Sequence, residues 1–306
     1  MIELGIKSDA IAHRYSYEWL FDLMAEHGIK NVQMGSTFAM YSLEDAYFHE
    51  LKEKAAQRGV KIKSTFTAYR ELGGFFLGNP YIEKVARKNF ERFIQVSSIL
   101  GADFCGSSPG SVLRDQFHLK ESGIECYLGH MKELQQLAFE CGLKALTMEP
   151  MSCRAEPPTT PQEMDYMVGT LNDYYKKNKT NTVPTYLCAD ISHGLADESH
   201  KVIYSNTELF RHAIPMMAEF HFKNTDTIFS NTFGFSKEEQ QKGIVDLQEL
   251  KNCIENNLEL FPVNDLVGYL EISGPKTGRD YSDIHLRKNL SESLIAIKNV
   301  FEKNEK

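Results

Sequence analysis

The stretches EHGIKNVQMGS (26–36), QRGVKIKSTFT (57–67), ILGADFCGSS (99–108) and ECGLKALTMEP (140–150) repeat one pattern. Each closes an amphipathic segment with a glycine and starts a short apolar run a residue or two later. Gly28, Gly59, Gly101 and Gly142 stand 31, 42 and 41 residues apart. Glycine supplies the left-handed backbone that ends a helix, so the pattern reads as helix, turn, strand, four times over. Its spacing is close to the ~38 residues expected if eight such units fill the 306-residue chain.

Working outward, the other elements follow the same grammar. Strands are predicted at 2–6, 31–34, 61–66, 102–105, 144–148, 185–189, 218–222 and 266–272. Asn79-Pro80 caps a helix carrying Ile82, Val85, Phe90, Phe93, Ile94 and Leu100 on one face. Thr160-Pro161-x-Glu163 is a capping box leading into Met164, Met167, Val168 and Leu171. Asp246 and Glu249 resemble a second box, and Leu290, Leu294, Ile297 and Val300 mark the last helix. Further helices fit near 17–27, 43–58 and 121–141, and a less regular one in 196–214. Strands that alternate with helices imply a parallel sheet with right-handed crossovers. Eight units predict an α/β fold, a closed (β/α)8 TIM barrel, with residues 1–306 as a single domain. The rival, an open doubly wound sheet, would carry a glycine-rich phosphate loop after its first strand, and KSDAIAHRYS is not one.

Composition sets the outer bounds. The chain is 42% hydrophobic and 25% charged, within the range of a globular protein with an ample core. With 34 Lys and Arg against 42 Asp and Glu, its charge of −8 gives no general attraction to nucleic acid or anionic membranes. No apolar run reaches the length of a membrane span, and the start MIELGIKSDAIAHRYSYEWL lacks the pattern of a signal peptide. A cytoplasmic location is therefore expected, with the six scattered cysteines as reduced thiols.

In such a barrel the active site lies at the carboxyl ends of the strands. Strand five ends LTMEP and places Glu149; strand six ends LCADISH and places Asp190 and His193. Strand seven, EFHFKNTD, places His221, Lys223 and Asp226; strand eight, YLEISGP, places Glu271. Each, taken alone, is ordinary as a helix cap, an ion-pair partner or a core histidine. Together, three carboxylates and an imidazole at one rim would repel and desolvate one another without a positive partner. A divalent cation is the simplest one, and the donor set suits Mn2+, with Mg2+ and Co2+ as alternatives, ahead of structural Zn2+.

At MEP, D-x-x-H, H-x-K-x-x-D and the strand-eight LE the sequence resembles the xylose-isomerase-like superfamily of sugar isomerases and epimerases, and within it the tagatose and psicose 3-epimerases. The resemblance implies Glu149, Asp190, His221 and Glu271 as manganese ligands, with Glu149 and Glu271 doubling as the acid/base pair. It implies His193 on a substrate oxygen and substrate contacts from Arg154, Glu156 and Lys223. Arg154 and Glu156 stand one residue further along than the family's pattern, and the arginine that follows its strand-seven histidine has no counterpart in NTDTIFSNTFGF.

The expected reaction is proton abstraction beside a ketose carbonyl through a metal-stabilised enediolate, giving epimerisation or isomerisation. A small-molecule sugar is the expected partner, in a homo-oligomer. An alternative uses the same metal and base as a lyase on 3-oxo-(C-)glycosides, with His193 as an acid and a small partner subunit. An abasic-site endonuclease would need histidines at early strand ends, where this chain has MGST and TFTA. A metal-free binding protein is the third option. Two features are open on sequence: GPKTGR (274–279) is a phosphate loop or a solvated one, and Phe66, Tyr69, Phe75 and Phe76 are a lid, a partner surface or loop packing.

Overall fold

Gly28, Gly59, Gly101 and Gly142 take φ values of +67°, +70°, +77° and +77°. At each, the residue after the glycine donates its N–H to a carbonyl five residues back. These bonds are Ile29 to Met24 at 2.9 Å and Val60 to Ala55, Ala102 to Ser97 and Leu143 to Ala138 at 3.0 Å. This is the Schellman closure, and the donor side chains Ile29, Val60, Ala102 and Leu143 are all buried. The repeat in the sequence is thus one structural joint made four times, turning each helix back into a strand.

The computed structural model describes residues 2–35, 37–68, 72–272 and 284–302. In chain order these form β1 (Glu3–Lys7), α1 (Tyr17–Glu26), β2 (Asn31–Met34), α2 (Thr37–Ser42), α3 (Asp45–Ala56), β3 (Lys61–Thr67), α4 (Pro80–Leu100), β4 (Phe104–Ser107) and α5 (Lys120–Glu140). There follow β5 (Ala145–Met148), α6 (Pro161–Lys177), β6 (Thr185–Asp190), α7 (Asn206–Ala213), β7 (Met217–Phe222), α8 (Lys237–Lys242), α9 (Leu247–Glu255), β8 (Val267–Leu270) and α10 (Leu286–Phe301). The eight strands close a barrel in the order β1-β8-β7-β6-β5-β4-β3-β2. Pairing is parallel, as in Ile6 opposite Leu270, Tyr269 opposite His221 and Phe104 opposite Ala145.

Contacts within the chain group into two compact units. One comprises Met1–Gln33, Lys54–Lys61 and Ala189–Lys306; the other comprises Met34–Glu53 and Ile62–Cys188. In the first, Phe210, Phe220, Phe222 and Tyr269 are fully buried and the rings of Phe220 and Phe222 meet edge-on at 4.7 Å. In the second, α4 buries Phe90, Phe93, Ile94 and Leu100. Phe66, Phe75 and Phe76 are also buried there, Phe76 6.0 Å from the ring of Tyr127. Of the three roles open to that aromatic group, these residues take loop packing; Tyr69 lies outside the described residues.

Caps form where they were expected, with one variation. Asn79 accepts from the amides of Tyr81 and Ile82, and Asp246 from those of Gln248 and Glu249. Thr160 caps Glu163, but the return bond of the Glu163 carboxylate goes to the amide of Thr159 instead of Thr160. The stretch 196–214 departs from a single helix. Leu195–Ala196 pairs antiparallel with Val202–Tyr204, and the helix starts only at Asn206, behind a Ser205–Glu208 capping box. Asp197 makes the break: its carboxylate accepts from the amides of Ser199 and Lys201, a local turn that outcompetes helix. No helix among the described residues is long and apolar enough to cross a membrane, and all six cysteines are free thiols.

Candidate metal site

Strand geometry decides which side chains reach the rim. Asp190 is the last residue of β6, Glu149 follows β5 directly, and Glu271 follows β8. His221 sits one residue before the end of β7 and is fully buried, as is Gln33 on β2. Backbone bonds hold these positions: the amide of Glu271 donates to Phe222, that of Glu149 to Ser107 and that of Ile191 to His221. Ligand atoms of Asp190, His221 and Glu271 lie within 4.8 Å of one another.

His221 is fixed at both nitrogens. Nε2 lies 2.7 Å from Gln33 Oε1, and with that carbonyl accepting, Nε2 carries a proton. Nδ1 then faces the carboxylates, 2.9 Å from Glu271 Oε2 and 3.9 Å from Asp190 Oδ2. Asp190 uses Oδ1 to accept from the amide of Ser192 at 2.7 Å, whereas its buried Oδ2 has no hydrogen-bond partner. A buried carboxylate oxygen without a donor, and an imidazole nitrogen held against two carboxylates, both fit a cation. The cluster is able to hold a metal ion.

The charge balance differs from the expectation of a cluster whose only positive partner is the ion, because two lysines enter it. Lys223 Nζ lies 2.6 Å from Glu271 Oε1 and 3.5 Å from Asp190 Oδ2. Lys7, from the end of β1, lies 3.0 Å from Glu271 Oε2 and 3.2 Å from Asp9. Burial alone would push the Glu271 carboxyl up, but Lys223, Lys7 and His221 together hold it well below the usual carboxylate range. The carboxylates are therefore partly matched by the chain's own cations.

His193 places Nε2 3.6 Å from Asp190 Oδ2, with 12% of its side chain exposed. The ring of Phe229 lies over Gly194, so closely that a Cβ there would meet it at 2.2 Å. Asp226 shapes its own loop, its carboxylate accepting from the amides of Ile228 and Ser230 and from the side chains of Ser230 and Asn231. Arg154 is exposed, and Glu156 faces Arg114 at 3.8 Å. The segment 274–279 lies outside the described residues. Sequence reading missed Lys7 and Gln33. Both sit on the rim end of early strands, and the filter that found the acids, applied to β1 and β2 as well, would have found them.

The sequence matches no family model, and no curated protein matches it significantly. Solved structures do resemble it. A xylose-isomerase-like protein from Rhodospirillum rubrum superposes with a TM-score of 0.77 at 18% identity, covering 98% of this chain and 99% of that one. D-psicose 3-epimerase from Clostridium cellulolyticum H10 gives 0.73 at 15% identity, with the same coverage. The 3-keto-D-glucoside 4-epimerase from E. coli gives 0.63 at 12%, covering 95% of this chain and 98% of that one. The chain has the fold of the xylose-isomerase-like barrels, the fold of the ketose 3-epimerases.

Proposed function

We propose that this chain is a divalent-metal-dependent enzyme that epimerises or isomerises a ketose or keto-sugar, with residues 1–306 working as one domain. The observation that carries the reading is the convergence of Asp190, His221 and Glu271 at the strand ends, ligand atoms within 4.8 Å, with Glu149 proposed as the fourth ligand. Three carboxylates and one imidazole favour Mn2+, with Mg2+ or Co2+ as substitutes. When bound, the ion supplies a Lewis acid that acidifies the hydrogen beside a ketose carbonyl.

The side chains do the rest. Glu271, kept ionised by Lys223 and Lys7, accepts the proton, and Glu149 returns one. His193 holds a substrate oxygen, and Arg154, Glu156 and Lys223 are the further candidates for substrate contact. Return to the opposite face of the same carbon inverts it; delivery to the neighbouring carbon isomerises the sugar.

A panel of free and phosphorylated ketoses in deuterated water with Mn2+ tests the reading. Label at carbon 3 with inversion identifies epimerisation, and label at carbon 1 or 2 identifies aldose–ketose isomerisation. Exchange that survives chelation would defeat the mechanism, and silence with metal bound would defeat the ketose substrate. A second reading, elimination from a 3-oxo-glycoside, is supported by His193 standing within reach of Asp190 as an acid, and by the similarity to an enzyme of 3-keto-glucosides. Activity on such glycosides but on no ketose selects it.

A further inference from the structure

A second group of metal-ligating side chains lies away from the barrel rim, between α4 and α5. Glu83 stands in the first turn of α4, while Cys126 and His130 share one face of α5, four residues apart. Their ligand atoms lie within 4.8 Å of one another. His130 Nε2 is 2.7 Å from Glu83 Oε1, and the imidazole is stacked on Phe75 with ring centroids 4.6 Å apart. The ring is therefore already oriented toward the carboxylate. All three residues are half-buried, leaving access for an ion and a water.

Glu83 accepts from His130 Nε2 at 2.7 Å and also from the Cys126 thiol, so the carboxylate already gathers both other candidate ligands. We propose that Glu83, Cys126 and His130 form a zinc site that ties α4 to α5, with solvent water as the fourth ligand. Sulfur, imidazole and carboxylate in one group is a donor set that zinc takes and Mn2+ does not favour. Tetrahedral Zn2+ would space these ligand atoms about 3.3–3.7 Å apart, so Glu83 Oε1 and His130 Nε2 would separate from their present 2.7 Å while all three atoms stay within the 4.8 Å they now span.

The protons balance as follows. Binding releases the Cys126 thiol proton to solvent, and the His130 proton moves from Nε2 to Nδ1. Arg87 Nη1, now 3.4 Å from Nδ1, gives up that contact and keeps its bond to Glu133 at 2.6 Å, while Arg87 Nε keeps its bond to Glu91 at 2.8 Å. One proton is thus released for each ion bound.

Cobalt distinguishes this site from the barrel site, whose ligands include no sulfur. Co2+ added to the full chain should produce a near-ultraviolet sulfur-to-cobalt charge-transfer band. The band should persist in Asp190→Asn, vanish in Cys126→Ser and be lost or strongly reduced in His130→Ala and Glu83→Gln. Zn2+ should raise the melting temperature of the Asp190→Asn protein and leave that of Asp190→Asn/Cys126→Ser unchanged. No band in the unsubstituted chain, or a band that survives Cys126→Ser, overturns the proposal. His130→Ala and Glu83→Gln decide the matter independently if the cysteine variant fails to fold.

Discussion

Lys223 Nζ lies 2.6 Å from Glu271 Oε1 and 3.5 Å from Asp190 Oδ2, so one buried ammonium serves two of the acids of the barrel cluster. With Lys7 on the other oxygen of Glu271, it holds that carboxyl well below the usual carboxylate range against the upward push of burial. Lys223→Met should therefore raise the Glu271 pKa. The acid limb of the kcat/KM profile should move up in pH accordingly, and an unmoved limb would mean that Lys223 does not control the group that titrates.

Metal retention is the next expectation. Glu149→Gln and Asp190→Asn should each lose manganese, measured by elemental analysis after gel filtration. They should also lose the rise in melting temperature that Mn2+ gives the unsubstituted chain, because an ion that binds only the folded state adds its binding free energy to stability. Full manganese content in both variants would show that the cluster does not hold the ion.

Gln33 Oε1 lies 2.7 Å from His221 Nε2, so it orients the imidazole that is the proposed ligand. Removing its carbonyl in Gln33→Leu frees His221 Nε2, and losing a bond of this kind behind a ligand costs about 10–100-fold in metal affinity. Gln33→Glu should retain most of the affinity, since a carboxylate accepts the same proton. An unchanged affinity in Gln33→Leu would show that the Nε2 bond does not orient the ligand.

A fourth expectation concerns pH and stability. The hydrogen bonds from Ser230, Asn231 and Ile228 outweigh burial and hold Asp226 far below the usual carboxylate range. The group is depressed in the folded state, so its contribution is fully present above the unfolded pKa of about 4 and is lost as pH falls below it. Between pH 7 and pH 3, Asp226→Asn should lose less stability than the unsubstituted chain, read from urea midpoints. A parallel loss in both proteins would contradict this.

The sequence alone determined the architecture, because the information is local. A glycine at a helix end, with a buried apolar residue directly after it, specifies a Schellman closure whatever surrounds it, and four such joints at regular spacing leave few topologies. Strand ends were equally legible, so Glu149, Asp190, His221 and Glu271 could be named from short motifs. The stretch 196–214 was less so, since Asp197 folds its own turn through bonds two and four residues ahead, against the helical pattern around it.

Only the tertiary structure decided how the cluster is charged and oriented. Lys7 and Glu271 are 264 residues apart in sequence, and His221 and Gln33 are 188 apart, yet each pair shares a bond. No spacing rule reports such pairs: β1 and β8 become neighbours only when the barrel closes, and β2 and β7, which are not neighbours, bring Gln33 and His221 together from separate strands of the closed barrel. The same holds for Glu83, Cys126 and His130: the helical interval of four residues places the last two on one face, but only the packing of α4 against α5 brings the carboxylate to them.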